Sequence, residues 1–396
     1  MSDFEMSCKR IIAAYNGEIL DRVPILSPIS WHPLRDIDEE KPGGWRTEEH
    51  FIKVAHLVQE HCDIKPPYNK VKFPGVYAPY SVGYQRFCEA PAEFVEKLEV
   101  EDLGEKRTRH TFLLHTPKGD LRYVYDLEEG IETSWDREKP IKSAEDVEKM
   151  LSVPFSFEKP DSSEYEPFRK HREEMGELCI GGSGVNSMVA MLCGMMSFQL
   201  LLEWVITEPG LIKGLADAWL ERTSAKVEFL LSQGVGPFWH FNGVERASPP
   251  MMGPKQWEDL VVPYDGKIMQ MIKEKDPESK INVHCHGRVG TLLDSFIEMG
   301  ADALDPMEPP PQGDIELGEA KKHAGGRLTF YGNMEFVDME TCTPDQIEEK
   351  IRKAIEEGGK EHTILFPSAT PHEKQTEQFT ENAIRYIEAG LKYGVK

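Results

Sequence analysis

The sequence predicts an α/β protein, a single (β/α)8 barrel of the TIM type with an N-terminal helical segment and a β-hairpin insertion. From about residue 178 onward, short apolar runs alternate with amphipathic stretches, which is typical of repeated β-α units around a parallel sheet. With 396 residues, of which 39% are hydrophobic, the chain can bury one large core. No linker-like tract divides it, so we expect one domain over residues 1–396.

The front of the chain holds the first two predicted strands and the insertion. Strands are predicted at 22–30 (RVPILSPIS) and 62–68 (CDIKPPY), with a helix over about 47–61 between them. The insertion is expected at about 76–160, because 110–126 alternates apolar and polar residues about a Pro-Lys-Gly-Asp turn and so predicts a β-hairpin. We expect this insertion to cover or flank the barrel.

Six further strands follow, and each has a helical pattern after it. They are predicted at 178–184, 237–243, 281–287, 301–308, 328–334 and 362–369. With the two front strands, the sum is eight, which is the number that a TIM-type barrel needs.

Charge and cysteine content bear on partners and location. The chain has 46 Lys plus Arg against 69 Asp plus Glu, a net charge of −23 that repels nucleic acids and anionic lipids. Its seven cysteines are odd in number, widely spaced and free of C-x-x-C, which favours a reducing compartment and a cytoplasmic location. Residues 187–206 are long enough for a membrane span, but Gln199 and Glu203 favour a core helix. We expect neither a nucleic acid nor a membrane as a partner, and the sequence leaves a homodimer open.

Polar side chains follow the predicted strands at their carboxyl ends, where barrels of this class form their active face. They are His240, Asn242 and Glu245, then His284 and His286, then Asp305 and Glu308, then Tyr331, Asn333 and Glu335, and finally Ser368 and His372. Such a concentration of titratable groups indicates a catalytic or metal site.

The strongest local pattern is His284-Cys285-His286. Side chains alternate along a strand, so the two histidines share one face, where they can bind one metal ion, while Cys285 points away. A zinc site needs a third protein ligand, and Glu308 is our first choice because three prolines after it fix its loop. The alternatives for this ligand are Asp305, His240, Glu245 and His372. The two histidines also fit a site without metal, in which both are hydrogen-bonded.

Other residues of this edge are given roles by their position. His240 and Tyr331 are candidate proton donors or orienting groups, together with the catalytic carboxylate Glu308. The expected substrate-binding residues are Trp239, Asn242, Glu245 and Asn333, although aromatic residues next to strands are more often core. The glycine-rich stretch 181–184 lacks a phosphate-binding motif and is interpreted as a turn that lets a ligand approach the backbone.

Several motifs in order along the chain resemble the uroporphyrinogen decarboxylase superfamily. The first is the run from Arg10 to Pro24, a helix followed by a "G-x-x-x-D-R-x-P" link and a strand. The later ones are 257–264 (WEDLVVPY), the His-x-x-Gly strand end, Gly-Ala-Asp at 300–302, Tyr-Gly-Asn at 331–333, Thr-Pro-Asp at 343–345, and Thr-Pro at 370–371. The resemblance implies a TIM barrel along nearly the whole chain.

Within this superfamily the resemblance favours the branch of corrinoid-dependent methyltransferases. True uroporphyrinogen decarboxylases carry an arginine-rich segment after the first strand, whereas residues 30–35 here are Ser-Trp-His-Pro-Leu-Arg. The methyltransferases bind zinc through an H-x-C pair and a late cysteine. His284 and His286 match the pair, and no cysteine lies in 365–369.

This branch implies a zinc enzyme that moves a methyl group between a small substrate, for instance a methoxylated one, and cobalamin held by a separate corrinoid protein. Two alternatives stay open. One is a decarboxylase of uroporphyrinogen or of another aromatic or pyrrolic acid. The other is a non-catalytic tetrapyrrole-binding protein, for which the aromatic residues would matter and the histidines would not.

Overall fold

The computed structural model describes residues 3–29, 34, 45–70, 95–131, 133–155, 157, 159–371 and 374–396. These residues form an α/β structure with two sheets, one antiparallel and one parallel. The strands are β1 (Val95–Gly104), β2 (Arg107–Leu114), β3 (Leu121–Glu128), β4 (Ser134–Glu138), β5 (Gly182–Asn186), β6 (Phe238–Asn242), β7 (Lys280–His284), β8 (Ala303–Met307), β9 (Thr329–Met334) and β10 (Thr363–Pro367).

The parallel sheet has six strands in the order β10-β9-β8-β7-β6-β5. Each strand pairs with the next along the chain, and helices connect them, as repeated β-α units require. All six strands that the sequence predicts after residue 178 are therefore present. Their carboxyl ends lie at one edge of the sheet, where the predicted site residues follow.

Helices surround the sheet and account for most of the remaining described chain. They are α1 (Asp3–Tyr15), α2 (Glu49–His61), α3 (Ala144–Ser152), α4 (Glu166–Met175), α5 (Met188–Met195), α6 (Phe198–Thr207), α7 (Pro209–Ser232), α8 (Pro254–Leu260), α9 (Asp265–Lys275), α10 (Leu293–Met299), α11 (Leu317–Ala324), α12 (Phe336–Thr341), α13 (Pro344–Gly358) and α14 (Glu377–Tyr393). The apolar stretch 187–206 is divided between α5 and α6. Among the described residues, no helix has the length and apolar character needed to cross a membrane.

The two front segments make single parallel bridges where the sequence predicts strands. Ile25 bridges to Leu365 of β10, and Leu26 bridges to Asp63. Farther along, the Tyr68 backbone N–H donates to the Ile180 carbonyl at 2.9 Å, next to β5. The front segments therefore connect β10 at one end of the parallel sheet with the chain that enters β5 at the other.

The antiparallel sheet has the order β1-β2-β3-β4. Its β2–β3 pair is the hairpin predicted at 110–126, with Leu114 opposite Leu121 on either side of the turn. The structure adds β1 and β4 as outer strands, so this region is larger than a single hairpin. Residues 76–94 of the expected insertion lie outside the described residues.

Helix α1 packs across the amino ends of the parallel strands. Cys8, Ile11 and Tyr15 share a buried apolar cluster with Phe238 of β6 and Ile364 of β10, among others. The Thr329 hydroxyl at the start of β9 donates to the Ala14 carbonyl at 3.2 Å. The amino edge of the sheet is thus covered, while the opposite edge holds the polar groups described next.

Candidate functional site

The end of β7 presents two histidines on the face opposite Cys285. Cys285 is buried in the large apolar cluster together with Val283. The rings of His284 and His286 lie on the other side, half-buried, with their centroids 4.7 Å apart in an edge-to-face arrangement. The alternation along the strand therefore places these three side chains as the sequence predicts.

The ligand atom of His284 groups with those of His240 and Asp305, not with those of His286 and Glu308. Each of these three residues offers a ligand atom, and the three atoms lie within 4.8 Å of one another. Among the described residues, this is the one such group of three or more His, Cys, Asp or Glu side chains. We call His240, His284 and Asp305 the metal trio. They come from the neighbouring strands β6, β7 and β8.

Asp305 is completely buried and in contact with a cation. The Lys65 ammonium lies 2.7 Å from its Oδ2 and 4.1 Å from the centroid of the Phe366 ring. Burial alone would raise the pKa of Asp305, but the charge of Lys65 holds it well below the usual range. Its other oxygen, Oδ1, has no hydrogen-bond partner among the described residues. Asp305 is thus an ionised carboxylate with one free oxygen.

His240 is a neutral imidazole at neutral pH. Burial, followed by the charge of Lys65, lowers its pKa to about 3. The Asn282 side-chain amide donates to His240 Nδ1 at 3.1 Å and points towards Asp305 Oδ2 at 3.4 Å. A neutral imidazole keeps a lone pair, which is the form that a metal ion needs. It is, by the same fact, a poor proton donor.

Glu308, the expected third ligand, is bound within the protein. His286 Nδ1 donates to its Oε1 at 2.7 Å, and the Gly287 backbone N–H donates to its Oε2 at 2.6 Å. Although burial lowers the pKa of His286, this hydrogen bond and the charge of Glu308 raise it overall. The expected set of His284, His286 and Glu308 stays a prediction. The structure groups His284 with His240 and Asp305 instead, and both Glu308 oxygens already accept hydrogen bonds.

Two predicted residues lie away from the polar edge. Tyr331 is completely buried beside α1, and its hydroxyl lies 3.0 Å from that of Tyr15. Burial, the largest cause, raises its pKa far above the usual range. Trp239 is completely buried in the large apolar cluster, on the outward face of β6. The structure therefore does not bring Tyr331 or Trp239 into the metal trio. Their expected roles, as a proton donor and as a residue that lines the site, stay predictions.

The other expected substrate-binding residues are half-buried. Asn242 ends β6, and Glu245 follows it with a buried Oε2 that has no partner among the described residues. Asn333 donates to the Met307 carbonyl at 2.9 Å and lines a cavity of about 120 Å³ beside α11 and α13. Asn333 is therefore beside a cavity between helices, not in the metal trio. His372 and residues 30–33 and 35 lie outside the described residues.

Lys65, Asn282 and Glu335 also belong to this edge, although no role was predicted for them from the sequence. Lys65 falls inside the predicted strand 62–68, two residues after Asp63, so the alternation of that strand could have pointed to it. Asn282 similarly lies two residues before His284 on β7. Glu335 follows β9, is only 7% exposed, and accepts a hydrogen bond from the Ser368 hydroxyl at 3.2 Å.

The parallel sheet and its polar carboxyl edge place the protein among α/β proteins whose functional groups follow the strand ends. The family model described as uroporphyrinogen decarboxylase (URO-D) matches residues 132–388, which is more than half of the chain. The chain belongs to the uroporphyrinogen decarboxylase family, and the predicted resemblance is confirmed. No curated protein matches it.

Solved structures also resemble this one. A methyltransferase from Methanosarcina mazei has a TM-score of 0.52 and 15% sequence identity, with 98% of each chain covered. At this identity the likeness establishes the fold. A B12-independent methionine synthase from Shewanella sp. W3-18-1, in complex with selenomethionine, has a TM-score of 0.39 and 11% identity over 76% of this chain and 75% of that one. The second likeness is too low to support an argument.

Proposed function

We propose that the protein is a zinc-dependent methyltransferase that moves a methyl group between a small substrate and cobalamin held by a separate corrinoid protein. The observation that carries the proposal is the metal trio at the carboxyl edge of the parallel sheet. The named activity of the Methanosarcina mazei neighbour, which shares the fold along both chains, supports the choice of methyl transfer.

The proposal includes a closed eight-stranded barrel. The six parallel strands supply most of it, and the front segments at Ile25 and Asp63 supply the other two. The hydrogen bond from Tyr68 to Ile180 would close the circle next to β5. In such a barrel the metal trio faces one opening, where a small substrate can enter.

The residues of the metal trio fit a divalent ion such as zinc. Two imidazoles and one carboxylate are a common ligand set of catalytic zinc, which keeps a fourth position for water or substrate. His284 Nδ1 and Asp305 Oδ1 are buried without a hydrogen-bond partner among the described residues. Buried polar atoms normally have a partner, and a bound metal ion would supply one here. Bound there, the ion would act as a Lewis acid on the substrate heteroatom.

The protein's own groups prepare this site. Lys65 keeps Asp305 ionised, and low pKa keeps His240 neutral, so both are in the protonation state for binding a cation. Glu308 fixes the ring of His286 beside His284. The carboxylates Asp305 and Glu308, which follow one another at this edge of the sheet, would repel a substrate with many carboxylates, which disfavours uroporphyrinogen.

Metal content tests the site directly. Zinc analysis and chelator competition should give about one ion per wild-type chain and at least a tenfold weaker affinity for His284→Ala and Asp305→Asn. Cys285→Ser is the matched control on the opposite face and should keep the ion. If Asp305→Asn keeps the ion while His286→Ala and Glu308→Gln lose it, the metal trio is the wrong set.

Methyl transfer is tested with the corrinoid itself. Incubation with reduced cobalamin and methoxylated aromatic donors should convert the Co(I) spectrum to that of methyl-Co(III), and Asp305→Asn should abolish the change. Carbon dioxide release from a pyrrolic or aromatic acid, with no spectral change for any donor, would favour the decarboxylase instead.

A further inference from the structure

Glu335 has one carboxyl oxygen in a hydrogen bond and one without a partner among the described residues, and the charges of Glu308 and His286 act on it. It directly precedes α12, and its side chain is 7% exposed. The Ser368 hydroxyl, just after β10, lies 3.2 Å from Glu335 Oε2. The backbone N–H of Phe336 donates to the same hydroxyl oxygen at 2.9 Å.

These contacts favour one oxygen of Glu335 for its proton. The Ser368 oxygen accepts from the Phe336 N–H, and the Ser368 hydroxyl donates its one hydrogen to Glu335 Oε2. In this arrangement Oε2 is the accepting oxygen, which leaves Oε1 for a carboxyl proton. Oε1 is buried and has no hydrogen-bond partner among the described residues. Such an atom is available to a bound ligand.

The surroundings of Glu335 favour its protonated form. Burial, followed by the negative charge of Glu308, raises its pKa to about 7. Asp338 on the same helix also raises the pKa, whereas the Ser368 hydrogen bond and His286 lower it. At neutral pH a large share of the molecules therefore carry this proton, which is the condition for an efficient general acid.

We propose that Glu335 is the proton donor of the methyl transfer, acting through Oε1 on the heteroatom that loses its methyl group. The inference rests on the proposed function and adds to it a substrate class, methyl ethers, whose leaving group needs a proton. His240 and Tyr331 do not compete for this role, since the first is neutral and the second is buried against Tyr15.

The proposed step balances with the groups named. The Co(I) corrinoid supplies an electron pair to the methyl carbon and becomes methyl-Co(III), while the carbon–oxygen bond of the ether breaks. The electron pair of that bond stays on oxygen, which takes the Oε1 proton and leaves as an alcohol or phenol. Glu335 becomes a carboxylate and recovers its proton from water.

Infrared spectroscopy tests the protonation without any methyl donor. The wild type at pH 6 should show the carbonyl band of a protonated carboxyl group, which fades as the pH rises through about 7. The buried carboxyl group of Asp265, whose pKa is also raised to about 7, should contribute to the same band. Glu335→Gln should therefore lose the part of the band that comes from Glu335. Glu340→Gln, which changes an exposed glutamate of the same helix, should keep it. Absence of a Glu335-dependent band at pH 6 overturns the proposal, even if methyl transfer itself is absent.

Two methyl donors test the role in the reaction. From 4-methoxybenzoate, transfer to cob(I)alamin should be about 100-fold or more slower in Glu335→Gln, because the phenolate leaves unprotonated. From the dimethylphenylsulfonium ion, whose neutral thioether needs no proton, the two proteins should differ less than about twofold, since this variant removes proton donation alone. Equal slowing with both donors overturns the proposal, whereas no transfer by the wild type from any donor overturns the proposed function instead.

Discussion

Asp265 is a completely buried carboxyl group outside the candidate site. It begins α9, and the Ser187 hydroxyl donates to its Oδ2 at 3.1 Å, while its Oδ1 has no partner among the described residues. Burial raises the pKa of Asp265 to about 7, and the hydrogen bond with Ser187 reduces the effect. The folded protein therefore keeps this proton to a much higher pH than the unfolded chain does.

The raised pKa predicts a pH dependence of stability. Between about pH 4 and pH 7, the folded state binds one proton more than the unfolded state, so the free energy of unfolding falls as pH rises. Asp265→Asn removes this contribution and should be about 1–3 kcal/mol more stable than the wild type at pH 8, with a smaller or reversed difference at pH 4. Urea denaturation at both pH values measures it.

Asp259→Asn is the matched control, because Asp259 is exposed and paired with Lys255. It should leave the difference between pH 4 and pH 8 unchanged. If Asp265→Asn has the same stability as the wild type at both pH values, Asp265 is not protonated in the folded protein.

At the residue scale, the sequence predicts which histidines share a face of β7, but not which residues they contact. Strand alternation predicts the shared face of His284 and His286, because it depends on neighbours in sequence. The choice of partner for each depends on distances across strands. Asp305, fully buried, meets His284, whereas Glu308 bonds to His286 and Gly287. Sequence spacing contains no such distances.

Among the elements, β5 shows why a glycine-rich stretch is needed. A Cβ atom at Gly182 would lie 1.5 Å from the Phe238 carbonyl oxygen. The group that closely approaches Gly182 is therefore the backbone of β6 and not a ligand. This corrects the interpretation that residues 181–184 form a turn open to a ligand. The close approach positions β6 and with it His240.

Gly182→Ala should consequently destabilise the protein by about 3 kcal/mol or more, because the added methyl group must displace a paired strand. Gly210→Ala is the control, since a Cβ there meets no atom within 4 Å and the residue lies in α7. That variant should be neutral or up to about 1 kcal/mol more stable. Thermal denaturation of the two variants compares them, and equal stabilities would contradict the strand contact.

The elements differ in how well the sequence predicts them, for physical reasons. Most of the six later strands contain short buried apolar runs, which is the pattern of strands in a parallel sheet. The two front segments form single bridges where strands were predicted. Pro24 and Pro28 flank one segment, and Pro66 and Pro67 follow the bridge of the other. Proline has no N–H to donate to the backbone hydrogen bonds of a sheet. Strands β1 and β4 contain many charged residues and no apolar run that would predict a strand. They form by pairing with β2 and β3, respectively.

For the whole molecule, the net charge of −23 has a measurable effect. Like charges repel within the folded protein, and added salt screens them, with a Debye length of about 30 Å at 0.01 M and about 8 Å at 0.15 M. The melting temperature should therefore rise when sodium chloride is increased over this range at pH 8. Differential scanning calorimetry measures it.

The same salt series near pH 5.1, the isoelectric point of the sequence, is the control. There the net charge is small, so the melting temperature should change much less. An equal rise at both pH values would point to a general salt effect instead of self-repulsion. The cytoplasmic location and the homodimer stay predictions of the sequence.

The position of helix α1 affects the order in which substrate and corrinoid protein would bind. By covering the amino ends of the strands, it leaves the small substrate and the corrinoid one shared entrance in the proposed barrel. A macrocycle carried by a protein would block that entrance while it is docked. In the proposed methyltransferase, the donor would therefore enter before the corrinoid protein docks, and the demethylated product would leave only after the corrinoid protein departs. Substrate and partner would bind in a fixed order, and the time for which the corrinoid protein stays bound would limit the turnover rate.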